Sequence, residues 1–155
     1  MWEPLQRYNA LNPDARKMFR RAAWLLPLLG ATLRIRGYKK TQGWLQNKLD
    51  RQTVVPLQPA ALSTQVEMTC RMVRAAGHYS PLPSSCLDQS LLLWYLLESE
   101  GIAAALRIGV RKDAKKFEAH AWVEHNGVAL NQAEEMHRHY APFDNEFSNP
   151  PPERP

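Results

Sequence analysis

A run of seven consecutive apolar or aromatic residues constrains the fold of this chain more than any other feature. It covers residues 91–97 and follows residues 85–88, Ser-Cys-Leu-Asp, which have the pattern of a capping box at a helix start. Gly101 marks the end of this predicted helix. Because the helix has almost no polar face, it must be covered on all sides. The sequence therefore predicts a buried central helix.

The hydrophobic period changes from helical to alternating after Gly101. Residues 103–110 and 117–124 are predicted to form two strands, and residues 128–131 a return strand. Between the last two lies Asn126-Gly127, the strongest short signal for a tight hairpin. A buried helix followed by an antiparallel meander predicts an α+β fold.

A further helical region precedes the buried helix. Asn12 before Pro13 predicts a helix over residues 11–33, in which Pro27 is expected to cause a kink or a break. Shorter helices are expected over residues 41–49 and 63–77, with a linker over residues 52–61. The predicted organisation is a basic helical region with linker (1–60), a core (61–140) and a Pro-rich flexible tail (141–155).

Composition and charge exclude several classes of protein. The chain has 155 residues, 45% of them hydrophobic and 23% charged, which is typical of a globular protein. The longest apolar stretch has twelve residues, short of the ~20 that span a membrane. Two cysteines and no recognisable signal peptide favour a reduced, cytoplasmic setting.

The charge is unevenly distributed along the chain. Residues 1–51 contain eleven Lys and Arg against three Asp and Glu, a net charge of +8, which leaves −3 for the remainder. Such a basic region favours an electrostatic docking surface for a protein or peptide. No nucleic-acid-binding motif accompanies it, so nucleic acid is not an expected partner.

Cys86 is the candidate nucleophile. It falls in the first turn of the buried helix, where unpaired backbone N–H groups and the helix dipole favour a thiolate and can stabilise an oxyanion. Cys70 lies on an apolar helical stripe and is predicted to be a core residue. No cofactor or metal is expected, because the two cysteines and the pair His137 and His139 lack zinc-ligand spacing.

His120, on the second predicted strand, is the candidate general base. A polar residue on the return strand is expected to orient its imidazole, as in other cysteine enzymes with three catalytic residues. A two-residue turn pairs His125 with Val128 and places Asn131 on the His120 face. A three-residue turn places Gln132 there instead, so the register decides between the two.

Several segments resemble the bacterial lasso-peptide leader peptidases of the transglutaminase-like, papain-like cysteine protease superfamily. They are residues 85–91 (Ser-Cys-Leu-Asp-Gln-Ser-Leu), residues 101–112, and residues 119–124 (Ala-His-Ala-Trp-Val-Glu) with Gly127 and Leu130-Asn131. Residues 12–49 are similar to the N-terminal helical part of these enzymes. The resemblance thus covers nearly all of residues 12–132.

The resemblance implies removal of the leader from a ribosomally made precursor by Cys-His-Asp catalysis. It also implies a small recognition protein that delivers the leader, here as a separate chain, and an ATP-dependent cyclase that takes the released core. Where the family places an Asp, this chain has Asn131-Gln132. Two alternatives therefore stay open, a peptide-binding module without catalysis and an acyltransferase that uses the same Cys86 and His120.

Overall fold

The architecture is a helical assembly packed on a small antiparallel sheet, in a computed structural model that describes residues 3–113, 116–131 and 141–142. The helices are α1 (Glu3–Asn9), α2 (Pro13–Arg36), α3 (Tyr38–Asp50), α4 (Pro59–Tyr79) and α5 (Cys86–Ser99). The strands are β1 (Ala105–Asp113), β2 (Lys116–His125), β3 (Val128–Ala129) and β4 (Ala141–Pro142). They form one sheet in the order β3-β2-β1-β4. The predicted α+β class is confirmed.

Helix α5 is the buried central helix that the sequence predicts. The Ser85 Oγ accepts from the backbone N–H of Asp88 at 3.1 Å, and the Asp88 carboxylate accepts from the N–H of Ser85 at 2.8 Å. All residues from 91 to 97 are buried. Helices α2, α3 and α4 and strands β1 and β2 surround α5. The capping box therefore fixes where this helix begins, and burial on every side explains its apolar sequence.

Helix α2 starts as predicted but does not break. The Asn12 side chain accepts from the N–H of Ala15 at 2.7 Å, as an N-cap should. Of the two outcomes predicted at Pro27, a kink or a break, the break is wrong, because the helix is continuous from Pro13 to Arg36. An internal proline costs roughly 3 kcal/mol. Burial of Leu26 and Leu29 on its two sides offsets that cost, at about 1.5–3 kcal/mol for each leucine.

Several predicted boundaries differ from the structure. Helix α4 begins at Pro59 rather than at residue 63, since proline fits the first turn of a helix, and three residues of the predicted linker are therefore helical. Helix α1 was not predicted. Residues 141–142 of the predicted tail pair with β1, where Pro142 lies opposite Gly109. Residues 143–155 lie outside the described part of the chain.

The N-terminal helices share one hydrophobic core with α5. Leu26 and Leu29 of α2 and Leu45 of α3 are buried in the same cluster as the α5 leucines. The core thus extends across residue 60, where the sequence suggested a division. Within the described residues, no helix is both long and apolar enough to cross a membrane.

The hairpin between β2 and β3 has the two-residue turn. His125 pairs with Val128 in the antiparallel ladder, and Asn126 and Gly127 have φ values of +50° and +78°. Two consecutive positive φ angles match the twist of the flanking strands, which explains the Asn-Gly sequence. The register with the three-residue turn is therefore wrong.

Candidate active site

A cavity of about 200 Å³ lies between α4, α5 and β2. Cys86, His120 and Asn131, three of the four residues predicted for the site, all line it. The fourth, Gln132, lies outside the described residues, as do His137 and His139. The fold thus brings together groups that are separated by up to 45 positions in the sequence.

Cys86 occupies the first position of α5 and is exposed to solvent. The capping box uses the N–H groups of Ser85 and Asp88. The N–H groups of Cys86 and Leu87 donate no hydrogen bond within the part of the chain that the structure describes. These two donors lie at the positive end of the helix dipole. The Cys86 position therefore combines an accessible thiol with donors for an anion.

His120 is half-buried on β2 and lines the cavity from the strand side. Loss of solvation lowers the pKa of its imidazole from the ordinary value of 6.5, because burial disfavours the charged form. The ring stacks on Trp122, with 6.4 Å between the ring centroids and 14° between the planes. His120 is therefore neutral at pH 7 and able to accept a proton.

The indole that stacks on His120 is itself held in place. The Trp122 Nε1–H donates to Glu124 Oε1 at 2.9 Å, and Glu124 Oε2 accepts from Arg107 Nε at 3.1 Å. Trp122 is buried. Side chains alternate along β2, so His120, Trp122 and Glu124 lie on one side of the strand. The contacts from Arg107 through Glu124 to Trp122 therefore limit the movement of the His120 imidazole on that side.

Asn131 connects the hairpin to α5. Its Oδ1 accepts from the N–H of Val123 at 2.8 Å, and its Nδ2 donates to Ser90 Oγ at 2.7 Å. The Ser90 hydroxyl then donates to the carbonyl of Ala121 at 2.9 Å. Ser90 lies one helical turn after Cys86. We call these three hydrogen bonds the Ser90–Asn131 brace, which joins the residue next to His120 to the helix that carries Cys86.

Sequence reasoning missed six residues of the cavity, three of which carry a polar group or a thiol. Arg74 and Cys70 line it from α4, and Gln89 lines it from α5. Cys86 and Gln89 are three positions apart on α5, and Cys70 and Arg74 are four apart on α4, so each pair shares a helix face. That spacing was visible in the sequence. Only the packing of α4 against α5 shows that the two faces meet.

Cys70 combines a core position with access to the cavity. It is half-buried, packs against the core cluster and lines the cavity. Burial raises the pKa of its thiol to about 11, although the nearby Arg74 charge acts in the opposite direction. At neutral pH Cys70 is therefore a thiol, which is a poor nucleophile. Among the described residues, no cluster of three or more His, Cys, Asp or Glu could hold a metal ion.

Comparison with known proteins gives one family. A sequence model of the transglutaminase-like superfamily matches residues 21–144, which include α5, the hairpin and most of the N-terminal helices. Searches of curated proteins and of solved structures give no significant match. The matched region is most of the chain, so the protein belongs to the transglutaminase-like superfamily. This superfamily includes cysteine proteases and acyltransferases.

Proposed function

We propose that this member of the transglutaminase-like superfamily is a cysteine endopeptidase that uses Cys86 and His120. The observation that carries the proposal is that the exposed Cys86 at a helix start and a neutral, half-buried His120 line one cavity. A thiol nucleophile and an imidazole base, close to N–H donors that are unpaired within the described residues, are the parts that acyl transfer requires.

The reaction begins when His120 takes the proton of the Cys86 thiol. The Cys86 Sγ then attacks the peptide carbonyl carbon, and the resulting oxyanion accepts from the N–H groups of Cys86 and Leu87. His120 returns the proton to the leaving amine as the C–N bond breaks. Water, deprotonated by His120, attacks the thioester, and the C–S bond breaks as His120 returns the proton to Cys86 Sγ, which releases the acid. Electrons and protons balance without a cofactor.

The third member of the site is also a proposal. Asn131 lines the cavity, and its side chain bonds to the backbone of β2 and to Ser90. These hydrogen bonds support a role in which Asn131 positions the strand that carries His120 and does not contact the imidazole itself. Trp122 restrains the His120 ring by stacking. Gln132, the other predicted candidate, reaches the His120 face only with a three-residue turn, and the hairpin has a two-residue turn. An amide stabilises an imidazolium less than the Asp of the resembled family does.

The proposed substrate is the leader region of a lasso-peptide precursor. The support is the resemblance of residues 85–91, 101–112 and 119–124 to leader peptidases, and superfamily membership agrees with it. On this proposal the protein works in the cytoplasm, receives the precursor from a separate recognition protein, and passes the core to an ATP-dependent cyclase.

The outer face of α2 supports such docking. Trp24 and Ile35 are 82% and 83% exposed, and Leu28 lies between them on the same face. Exposed Arg20 and Arg34 flank this apolar stripe. An exposed apolar stripe with surrounding charge of one sign is typical of an interaction surface. We propose that this face of α2 binds the recognition protein or the precursor.

Cleavage is tested with the purified protein and the peptide encoded by a neighbouring short reading frame. Mass spectrometry should detect a leader and a core fragment, and Cys86→Ala should abolish both while the circular dichroism spectrum is unchanged. Iodoacetamide at neutral pH should alkylate Cys86 much faster than Cys70. Equal labelling of the two thiols, or full cleavage by Cys86→Ala, would refute the proposal. A reactive Cys86 that forms a thioester without hydrolysis would favour the acyltransferase.

Docking is tested with substitutions on the surface, because deletion of α2 would remove part of the core. Trp24→Ser with Ile35→Ser should weaken precursor processing while the iodoacetamide rate at Cys86 stays the same. Val55→Ser is the matched control, since Val55 is 82% exposed but lies outside α2. Processing at the wild-type rate by the double variant would exclude the α2 face as the docking surface.

A further inference from the structure

The cavity that Cys86 lines contains a guanidinium, that of Arg74, which has no acidic partner among the described residues. Arg74 lines the cavity from α4, and none of the described residues that line it is an Asp or a Glu. Arg74 forms no ion pair and no hydrogen bond within the described ranges of the chain. Glu67, the nearest acid in sequence on α4, precedes it by seven residues, or about 10.5 Å of helix rise. Within the described residues no ion pair neutralises this positive charge, so it can attract an anionic ligand.

The two amide side chains that line the cavity are hydrogen-bonded within the protein. The Gln89 amide donates to Ser84 Oγ at 3.0 Å, and Asn131 belongs to the Ser90–Asn131 brace. His120 is neutral at pH 7, because burial lowers the pKa of its imidazole. Arg74 is thus the permanently charged group among the described lining residues, and its charge also acts on Cys70.

We propose that Arg74 forms a carboxylate-binding subsite, which selects peptides with an Asp or Glu side chain next to the bond attacked by Cys86. A guanidinium presents two parallel N–H donors that match a carboxylate. Arg74 is exposed, so such a pair is partly screened by solvent and has the modest strength of a surface ion pair. This subsite deepens the proposed peptidase function and rests on it. It defines the substrates as peptides with an acidic side chain near the cleaved bond, a preference that Cys86 and His120 alone do not determine.

The first experiment compares iodoacetate with iodoacetamide, which are similar in size but differ in charge. Peptide mass spectrometry gives the rate of alkylation of Cys86 by iodoacetate divided by the rate with iodoacetamide. This ratio should fall about two- to fivefold in Arg74→Gln, as expected for one partly screened ion pair. The matched control is Arg71→Gln, which removes an exposed charge one turn away on α4, outside the described lining of the cavity. That variant should keep the wild-type ratio.

Two results would overturn the subsite. One is the same ratio in Arg74→Gln as in the wild type. The other is an equal fall of the ratio in Arg71→Gln, which would indicate that the overall positive charge of the surface, and not Arg74, attracts iodoacetate. Added salt should lower the wild-type ratio and should leave that of Arg74→Gln nearly unchanged.

The second experiment separates the subsite from the proposed function. It uses peptidyl acyloxymethyl ketones, which alkylate the thiol of cysteine peptidases. Compounds with Asp and with Asn at either of the two residues before the reactive carbon are compared by their rates of reaction with Cys86. The wild type should react faster with the Asp compound at one of these positions, and Arg74→Gln should lose that preference. Labelling without any preference for Asp would refute the subsite and support the peptidase. No labelling of Cys86 by any ketone would refute the peptidase, while the iodoacetate ratio still decides the subsite.

Discussion

The Ser90–Asn131 brace should be measurable as a coupling free energy between two side chains. Ser90→Ala removes the partner of the Asn131 amide N–H and of the Ala121 carbonyl, and Ser90 is completely buried. An unsatisfied buried group costs about 1–3 kcal/mol, so we expect a loss of about 2–4 kcal/mol in the free energy of unfolding. Asn131→Ala removes the acceptor of the buried Val123 N–H and should cost about 1–3 kcal/mol.

The two variants share one hydrogen bond, which connects Asn131 Nδ2 and Ser90 Oγ at 2.7 Å. The double variant should therefore lose about 0.5–1.5 kcal/mol less than the sum of the single losses, the net value of one hydrogen bond. Urea unfolding followed by tryptophan fluorescence measures all four free energies. Each single loss, at most about 4 kcal/mol, remains below the stability of a typical domain, about 5–15 kcal/mol, so the single variants should fold.

A second cycle provides the control. Ser99 also lies on α5, but its hydroxyl contacts Arg21 and the Leu96 carbonyl at the other end of the helix. Ser99→Ala and Asn131→Ala should be additive within about 0.3–0.5 kcal/mol. The brace would be refuted if the Ser90 cycle were equally additive. If the brace positions the strand of His120, Ser90→Ala should also slow alkylation of Cys86 by iodoacetamide.

Three further predictions follow from the fold and from the cavity. Alkylation of Cys70 should increase about tenfold per pH unit up to its pKa of about 11, because only the thiolate reacts, and a mass-spectrometric pH profile with its midpoint near 9 would contradict the burial of this thiol. Ser85→Ala should lower stability by about 0.5–2 kcal/mol in urea unfolding through loss of the cap, and no change would mean that Asp88 alone holds the helix start. Gly101→Ala should cost about 1–3 kcal/mol, because φ is +76° and a Cβ would lie 2.7 Å from Val54 Cγ1, so an unchanged thermal midpoint would contradict this geometry.

The sequence predicted those parts of the fold that local interactions decide. The capping box at Ser85 satisfies donors three residues away, and the Asn126-Gly127 turn needs only its own two φ angles. The apolar run of α5 requires burial whatever the surrounding elements are. Each of these signals lies within a few residues of the structure that it determines. For that reason the α+β class, the start of α5 and the hairpin at Asn126-Gly127 are confirmed, whereas the structure decided between the two-residue and the three-residue turn.

The tertiary structure decided what depends on contacts between distant segments. Pro27 stays within a continuous α2 because Leu26 and Leu29 are buried in the shared core, a tertiary effect that local propensity does not contain. The same holds for the cavity. Arg74 and Cys86 approach one another only because α4 packs on α5, and Asn131 bonds to Ser90 across 41 positions of sequence. A pattern in sequence specifies which face of an element is apolar, but not which partner covers it, since burial is non-directional.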